Sequence, residues 1–260
     1  MEAYDRLVAA RAKGRPSGLC DIQNIFTEFT ELHGDRRFGD DKAVVAGIAR
    51  LGGIPVTVVA SEKGGNTKER VRRNFGSAHP EGYRKALRQM KLAEKFGRPV
   101  VCFVDTAGAF CGISAEERGE GQAIAENLME MMALRTPIVS VFVGEGGSGG
   151  ALALAVADEV WMLENACYSV ISPEGCASIL WKDSSKVKEA ARFLKITADD
   201  LLQLKVIERV IPEHKDFGQV YRTLQSGLYQ TILEKAAMDE ELLLQQRYDR
   251  FRRLGTAFTK

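Results

Sequence analysis

Two places where an apolar run breaks into glycine just ahead of a helix pattern constrain this chain most. One is Val143-Gly144-Glu145-Gly146-Gly147-Ser148-Gly149-Gly150-Ala151, in which five of the seven residues from Gly144 are glycine. The other is Val104-Asp105-Thr106-Ala107-Gly108-Ala109-Phe110-Cys111-Gly112. Loops without Cβ atoms let backbone approach backbone or a ligand closely. N–H groups gathered at a helix start suit an anion or a developing oxyanion. Gly149 and Gly150 each cost a helix about 1 kcal/mol against alanine, so something tertiary must compensate. Close helix packing, supported by Ala151, Ala153, Ala155 and Ala157, is the plainer explanation, but it does not call for the companion loop at Gly108.

The surrounding pattern alternates strand and helix. Residues 43–51 and 54–60, split by Gly52-Gly53, read as a hairpin. Residues 81–96 read as a helix closed by Gly97, and 100–104 as a buried strand. Residues 114–134 read as one long helix with Ser114 as N-cap and Glu117 as its capping-box partner. A buried strand at 138–143, an alanine-rich helix at 148–156 and a strand pair at 160–163 and 168–171 follow. Pro173 opens a further helix, and the chain is then mostly helical, with 228–253 as a charged surface or partner-docking helix. Alternating β and α indicates a layered α/β fold, and paired strands before single helices fit a ββα spiral better than simple βαβ winding.

At 260 residues the chain can bury a sizeable core, and it reads as a single domain, 1–260. Within it, about 1–40 form a helical N-terminal extension, 41–213 the spiral core and 214–260 a helical tail. Thirty-six basic against 35 acidic residues give a net charge of +1, which disfavours a generic nucleic-acid or membrane-surface protein. No apolar run approaches the roughly 18 residues of a membrane helix, and no secretory pattern opens the chain, so the expected location is cytoplasmic. Cys20, Cys102, Cys111, Cys167 and Cys176 lack metal-ligand spacing, and the histidines are only His33, His79 and His214. Buried free thiols and no metal in this chain are the expectation.

Other glycine motifs fit poorly. Gly144, Gly146 and Gly149 match a dinucleotide spacing without an evident ribose-binding acid, and the P-loop lysine is absent. Gly146-Gly147-Ser148-Gly149-Gly150 also satisfies G-x-S-x-G, but a serine hydrolase needs a histidine for Ser148. Between Lys63 and Arg98, eleven lysines and arginines face only Glu69, Glu81 and Glu94. That segment reads either as a solvated face or, around Arg72 and Arg73, as a landing surface for a phosphorylated or acidic group. The opposite bias at Glu116, Glu117, Glu120, Glu126 and Glu130 reads as a helix surface.

Five blocks in order now carry a specific resemblance. They are GDRRFGDDKAVVAGIARLGGIPV from Gly34, KERVRRNFGSAHPEGYRKALRQMKLAEKFGRPV from Lys68, AEERGEGQAIAENL from Ala115, GEGGSGGALAL from Gly144 and YSVISPEGCASILWK from Tyr168. Over about residues 21–213 the chain closely resembles the alpha subunits of the bacterial acetyl-coenzyme A carboxylase carboxyltransferase. It departs from the family at Ala107, usually proline, and at Phe110-Cys111, usually Tyr-Pro.

The resemblance implies a crotonase-type (ClpP/crotonase) ββα spiral with a helical C-terminal region. It implies transfer of a carboxyl group from carboxybiotin on a biotin carboxyl carrier protein to acetyl-CoA, giving malonyl-CoA for fatty acid biosynthesis. It further implies an α2β2 heterotetramer with a beta subunit that holds the zinc and most of the acyl-CoA site. A biotin carboxylase partner would use the ATP. Aligned N–H groups would stabilise charge on the ureido oxygen, so no side-chain base is required. On this reading Gly146 and Gly147 supply the ureido donors, and Gly108 and Ala109 shape the opposing wall or add a donor. Ser148, Gly149 and Gly150 set the helix start, and Arg72 and Arg73 bind substrate or partner. The rivals are an acyl-CoA hydratase or isomerase using Glu145 or Glu174, a Clp-type protease using Ser148, and a non-catalytic scaffold.

Overall fold

A computed structural model describes residues 1–256. The chain opens with helices α1 (Ala3–Ala10) and α2 (Gly18–Ile25), then strands β1 (Thr27–Glu31), β2 (Val44–Leu51) and β3 (Ile54–Ser61). Helices α3 (Thr67–Arg72) and α4 (Pro80–Lys95) lead to β4 (Val100–Thr106), α5 (Ile113–Glu117) and α6 (Glu120–Ala133). Next come β5 (Ile138–Gly147), α7 (Ser148–Leu152), β6 (Glu159–Leu163) and β7 (Cys167–Ser169). The remainder is α8 (Pro173–Trp181), α9 (Val187–Phe193), α10 (Ala198–Gln203), β8 (Arg209–Ile211), α11 (Phe217–Ala236) and α12 (Glu240–Arg252).

The strands form one mixed sheet in the order β1-β2-β3-β4-β5-β6-β8, with β7 paired to β5. The hairpin read around Gly52-Gly53 is present: β2 and β3 pair antiparallel down to Leu51 opposite Ile54. Gly52 and Gly53 hold φ of 55° and 88°, the left-handed region that a two-residue turn requires. From β3 onward the neighbours run parallel. β4 and β5 are buried along their whole length, which explains their near-continuous apolar sequence. Pro80 sits in the first turn of α4, and that helix packs on β2, β3 and α6.

Several expectations change. The long helix at 114–134 is two helices, because Gly119 adopts φ 81° and breaks the ladder between α5 and α6. Gly112, not Ser114, is the N-cap of α5, and no side chain caps it. The strands read at 160–163 and 168–171 do not pair with each other. β5 is ten residues long, so Val139–Phe142 pair with β6 while Glu145–Gly147 pair with β7. The first forty residues hold a strand, β1, beside their helices, and its weak alternation hid it. The helix read at 228–253 breaks between α11 and α12, where Asp239 caps α12. Its Arg247 is wholly buried, donating to Asp158 at 2.8 and 2.9 Å and to the carbonyls of Met131, Leu134 and Thr136. Ala257 to Lys260, the end of the expected tail, lie outside the described residues. Cys102, Cys167 and Cys176 are buried free thiols, while Cys20 and Cys111 are exposed.

Candidate functional site

The two glycine junctions meet at the ends of β4 and β5. The strands run in register through Val104 opposite Phe142, then slip, so that Thr106 pairs with Gly146. The slip makes room for Asp105, 6% exposed, whose Oδ1 accepts from Lys63 Nζ at 2.6 Å and from the Glu145 N–H at 2.8 Å. Gly144 must be glycine here, because a Cβ would overlap the Asp105 carboxylate.

The loop after β4 is closed by its own threonine. The Thr106 hydroxyl donates to the Gly108 carbonyl at 2.8 Å, and the Gly108 N–H donates back at 3.1 Å. Gly108 has φ 150°, a conformation left to glycine. Its amide is thus engaged by the Thr106 hydroxyl. The Ala109 N–H donates to no described residue. Phe110, at a departure from the family pattern, donates its N–H to Ala78 and stacks its ring on His79 at 4.1 Å.

The loop after β5 crosses against this one. A Cβ on Gly147 would overlap the Ala107 carbonyl. A Cβ on Gly150 would overlap the Ala109 nitrogen and lie 2.7 Å from Tyr83 Oη and 2.8 Å from the Gly108 carbonyl carbon. Close packing therefore does demand glycine at 147 and 150, but against the companion loop at 107–109 rather than through the helix packing expected for Gly149 and Gly150. Gly149 differs: a Cβ there meets only Ile124 at 3.6 Å, ordinary contact. Gly146 and Gly147 end β5, opposite Tyr168 and Ser169 of β7. Ser148, Gly149 and Gly150 form the first turn of α7, whose amides have no intrahelical acceptor and no side-chain cap. Gly146–Gly150 and Gly108–Ala109 are thus brought together, backbone to backbone.

Arg72 and Arg73 are not part of this corner's lining. Arg72 is exposed on α3 beside Glu69 at 3.4 Å. Arg73 turns inward, donating to Glu69 at 3.3 Å and to the Lys42 carbonyl at 2.8 Å.

The acids of rival readings are committed elsewhere. Arg11 pairs with Glu145 at 2.5 Å and with Glu174 at 2.6 Å. Burial opposes ionisation of Glu174, yet the Arg11 hydrogen bond and charge hold its carboxyl below the usual range. Ser148 is exposed with φ 53°, a strained elbow, but no histidine bonds to it. Glu120, read as surface, is 3% exposed at the start of α6, since α6 packs on α4 there.

Two cavities flank the corner. An apolar one of about 410 Å³ runs from Ser148 and Gly149 past Tyr168 and Val170 to Leu194 and Leu201. A second, of about 200 Å³, is lined by Arg11, Arg15, Lys63, Asp105, Ala107 and Glu145 among others. Arg11, Asp105 and Tyr83 were not singled out in the sequence, and Lys63 was read only as the start of a basic segment. Of the four, Asp105, at the end of a buried strand, and Lys63, in that segment, carried a local signal. No group of three or more metal-ligating side chains occurs among the described residues.

The family described as acetyl co-enzyme A carboxylase carboxyltransferase-like matches residues 1–255. The acetyl-coenzyme A carboxylase carboxyl transferase subunit alpha of Ruminiclostridium cellulolyticum is 66% identical over 256 residues, 98% of each chain. The subunit of that name from Clostridium perfringens is 55% identical, covering 97% of this chain and 95% of its own. Among solved structures, the transcarboxylase 12S hexamer with methylmalonyl-coenzyme A and methylmalonic acid has a TM-score of 0.68 at 21% identity, over 81% of this chain and 40% of its own. A Pseudomonas malonate decarboxylase hetero-tetramer with coenzyme A has 0.66 at 19%, over 81% and 86%. At such identities the structures speak to the fold, and the fold is the crotonase type expected.

Proposed function

The chain belongs to the alpha-subunit family of the acetyl-coenzyme A carboxylase carboxyltransferase, and from that membership we propose that its crossed glycine loops form the biotin-side oxyanion hole. As an alpha subunit it is a carboxyltransferase working within a multi-subunit complex. When bound, carboxybiotin supplies the carboxyl group and leaves negative charge on its ureido oxygen. The residues fit such a group. The corner from Gly146 through Gly149 and the facing Ala109 N–H offer fixed amides, and Gly149 stays free of a Cβ although packing does not demand it. That last feature carries the reading: space is kept open on the side where a substrate would approach. Amides stabilise developing charge without surrendering a proton, which agrees with Glu145 and Glu174 both being tied to Arg11.

The apolar cavity beside Ser148 has the volume of a small-molecule pocket and would take the ring system and chain of the biotin. Val170 on its lining is exposed, as are Ile179 and Leu180 of α8 and Phe193 of α9, surface suited to a partner. We assign that partner as a beta subunit supplying zinc and most of the acyl-CoA site, in an α2β2 assembly served by the carrier protein and biotin carboxylase in the cytoplasm. No described helix is long and apolar enough to cross a membrane.

The test compares two substitutions in the reconstituted complex with the beta subunit. Ser148→Ala should keep most malonyl-CoA formation, because the hydroxyl is neither nucleophile nor base. Gly149→Val, where the fold leaves room for a Cβ, should lose about 10²–10³ in turnover, as for loss of an oxyanion donor, while gel filtration shows the subunits assembled. Abolition by Ser148→Ala with tolerance of Gly149→Val would move the serine reading to the front.

A further inference from the structure

Half of the basic segment has no part in the glycine corner. On α4, Arg84, Arg88, Lys91 and Lys95 fall at spacings of four, three and four, one stripe of a helix. The stripe runs about 16 Å at 1.5 Å per residue. Between it and the loop carrying Arg36 and Arg37 lies a groove of about 480 Å³, floored by Leu87 and Leu92. None of its lining comes from the loops at 105–112 or 143–150.

Six cations line this groove against two carboxylates, and both carboxylates are spent. Asp35 Oδ1 accepts the N–H groups of Arg37, Phe38 and Gly39, and Oδ2 accepts from Arg84 at 3.4 Å. Glu126 accepts from Arg37 at 3.1 Å and Gln122 at 3.2 Å. Lys91 is paired outside the groove, with Glu130 at 3.0 Å. Arg36, Arg88 and Lys95 have no carboxylate within 4.0 Å among the described residues.

Arg36 and Arg88 moreover converge. Both donate to the His33 carbonyl, at 3.0 and 3.1 Å, and Arg88 also donates to Gly34 at 3.0 Å. Burial first, and then the charge of Arg36, hold the Arg88 guanidinium below its usual range. Arg36 keeps φ 64°, a left-handed conformation that non-glycine residues hold only where something compensates. Arg36 spends only Nη1 on this carbonyl, whereas the Nη groups of Arg88 also meet the Gln89 side-chain oxygen. Arg36 thus offers the open fork and Arg88 a second cation beside it, with no carboxylate within 4.0 Å of either among the described residues.

We propose that this groove binds a small molecule carrying two or more phosphates, one between Arg36 and Arg88 and another toward Lys91 and Lys95. Phosphate matches the open Arg36 fork beside the Arg88 charge, and the length of the stripe exceeds what one phosphate covers. A concave groove of this volume is that of a small-molecule site, and the balanced net charge of +1 speaks against a nucleic-acid surface.

The test is calorimetric titration of the full-length chain with inorganic pyrophosphate, against sulfate at equal ionic strength. Saturable one-to-one binding, tighter than sulfate, is the expected result. Arg36→Gln should weaken it about ten-fold or more and Lys95→Gln about three-fold. Lys68→Gln, in the other half of the basic segment, should leave it unchanged. Arg88→Gln should match Arg36→Gln; since Arg88 also clips a loop, the exposed Arg36 and Lys95 variants carry the test if it misfolds. Competition by ADP but not by CoA identifies a free nucleotide-type ligand, and competition by CoA identifies its diphosphate as the occupant. Binding no tighter than sulfate, or equal loss in Lys68→Gln, overturns the proposal. So does an oligonucleotide that binds and that pyrophosphate does not displace.

Discussion

Glu120 gives the protein a pH dependence that can be worked out from its surroundings. Its carboxyl opens α6, is 3% exposed, and neither oxygen bonds to a described residue. Burial, then the charges of Asp41, Glu116 and Glu81, push it up to about 8, against the pull of Arg84. In the unfolded chain the same group titrates near 4.5. Between these values the folded protein holds a proton that the unfolded chain has released. Stability is therefore full below about 4.5, falls as pH rises through the interval, and is lost above about 8. At 1.36 kcal/mol per pH unit the whole interval is worth just under about 5 kcal/mol, and relaxation of the surroundings on ionisation reduces it to roughly 2–4 kcal/mol. Glu120→Gln keeps the shape and removes the titration. Asp21 and Asp41, whose carboxyls burial also raises, remain in both proteins, so the difference isolates Glu120. In urea unfolding, the two proteins should agree within about 1 kcal/mol near pH 5, and the variant should be more stable by roughly 2–4 kcal/mol near pH 9. Parallel pH profiles for the two proteins would refute the reasoning.

Two further outcomes follow from buried charges. Arg247→Met should cost about 3–5 kcal/mol by leaving Asp158 buried without its cation, and calorimetry should show Tm falling by roughly 10 °C. The double variant with Asp158→Asn should recover much of that loss. Lys63→Met orphans Asp105 beneath both loops, and turnover of the assembled complex should fall roughly ten- to hundred-fold with unchanged far-ultraviolet circular dichroism.

Local pattern revealed the elements that bury both faces or end in glycine. The hairpin at Gly52-Gly53, α4 behind Pro80, and β4 and β5 could all be read that way. The pairing of β5 with two successive partners could not, because strand length past Val143 was masked by glycine, which reads as loop. Long-range charge pairing was equally hidden. Glu120, Arg247 and Arg250 look like surface residues in a charged stretch, and only packing against other elements makes them buried. The glycine corner itself was legible as two loops. What the sequence could not tell was that packing alone requires glycine at 147 and 150, while 149 is left open.

The corner breaks local rules in several places at once, and the chain compensates from outside it. Gly108 at φ 150° and Ser148 at φ 53° are strained, and the two loops press together without side chains between them. Thr106 closes the first loop with its own hydroxyl. Asp105 ties β4 to the Glu145 N–H and to Lys63 from the end of β3. The corner between α1 and α2 supplies the other clamps: Arg11 holds Glu145 and Glu174, and Arg15 holds the Val143 carbonyl and Glu213. Asp105, Glu145 and Glu174, the acids near the loops, are thus each committed to a cation. Amides held this rigidly need no reorganisation when charge develops beside them, which is where electrostatic stabilisation is most effective. On the proposed reading the arrangement leaves the chemistry to the backbone, and the first turns of this chain, far from the glycines in sequence, are part of what holds the two loops in place.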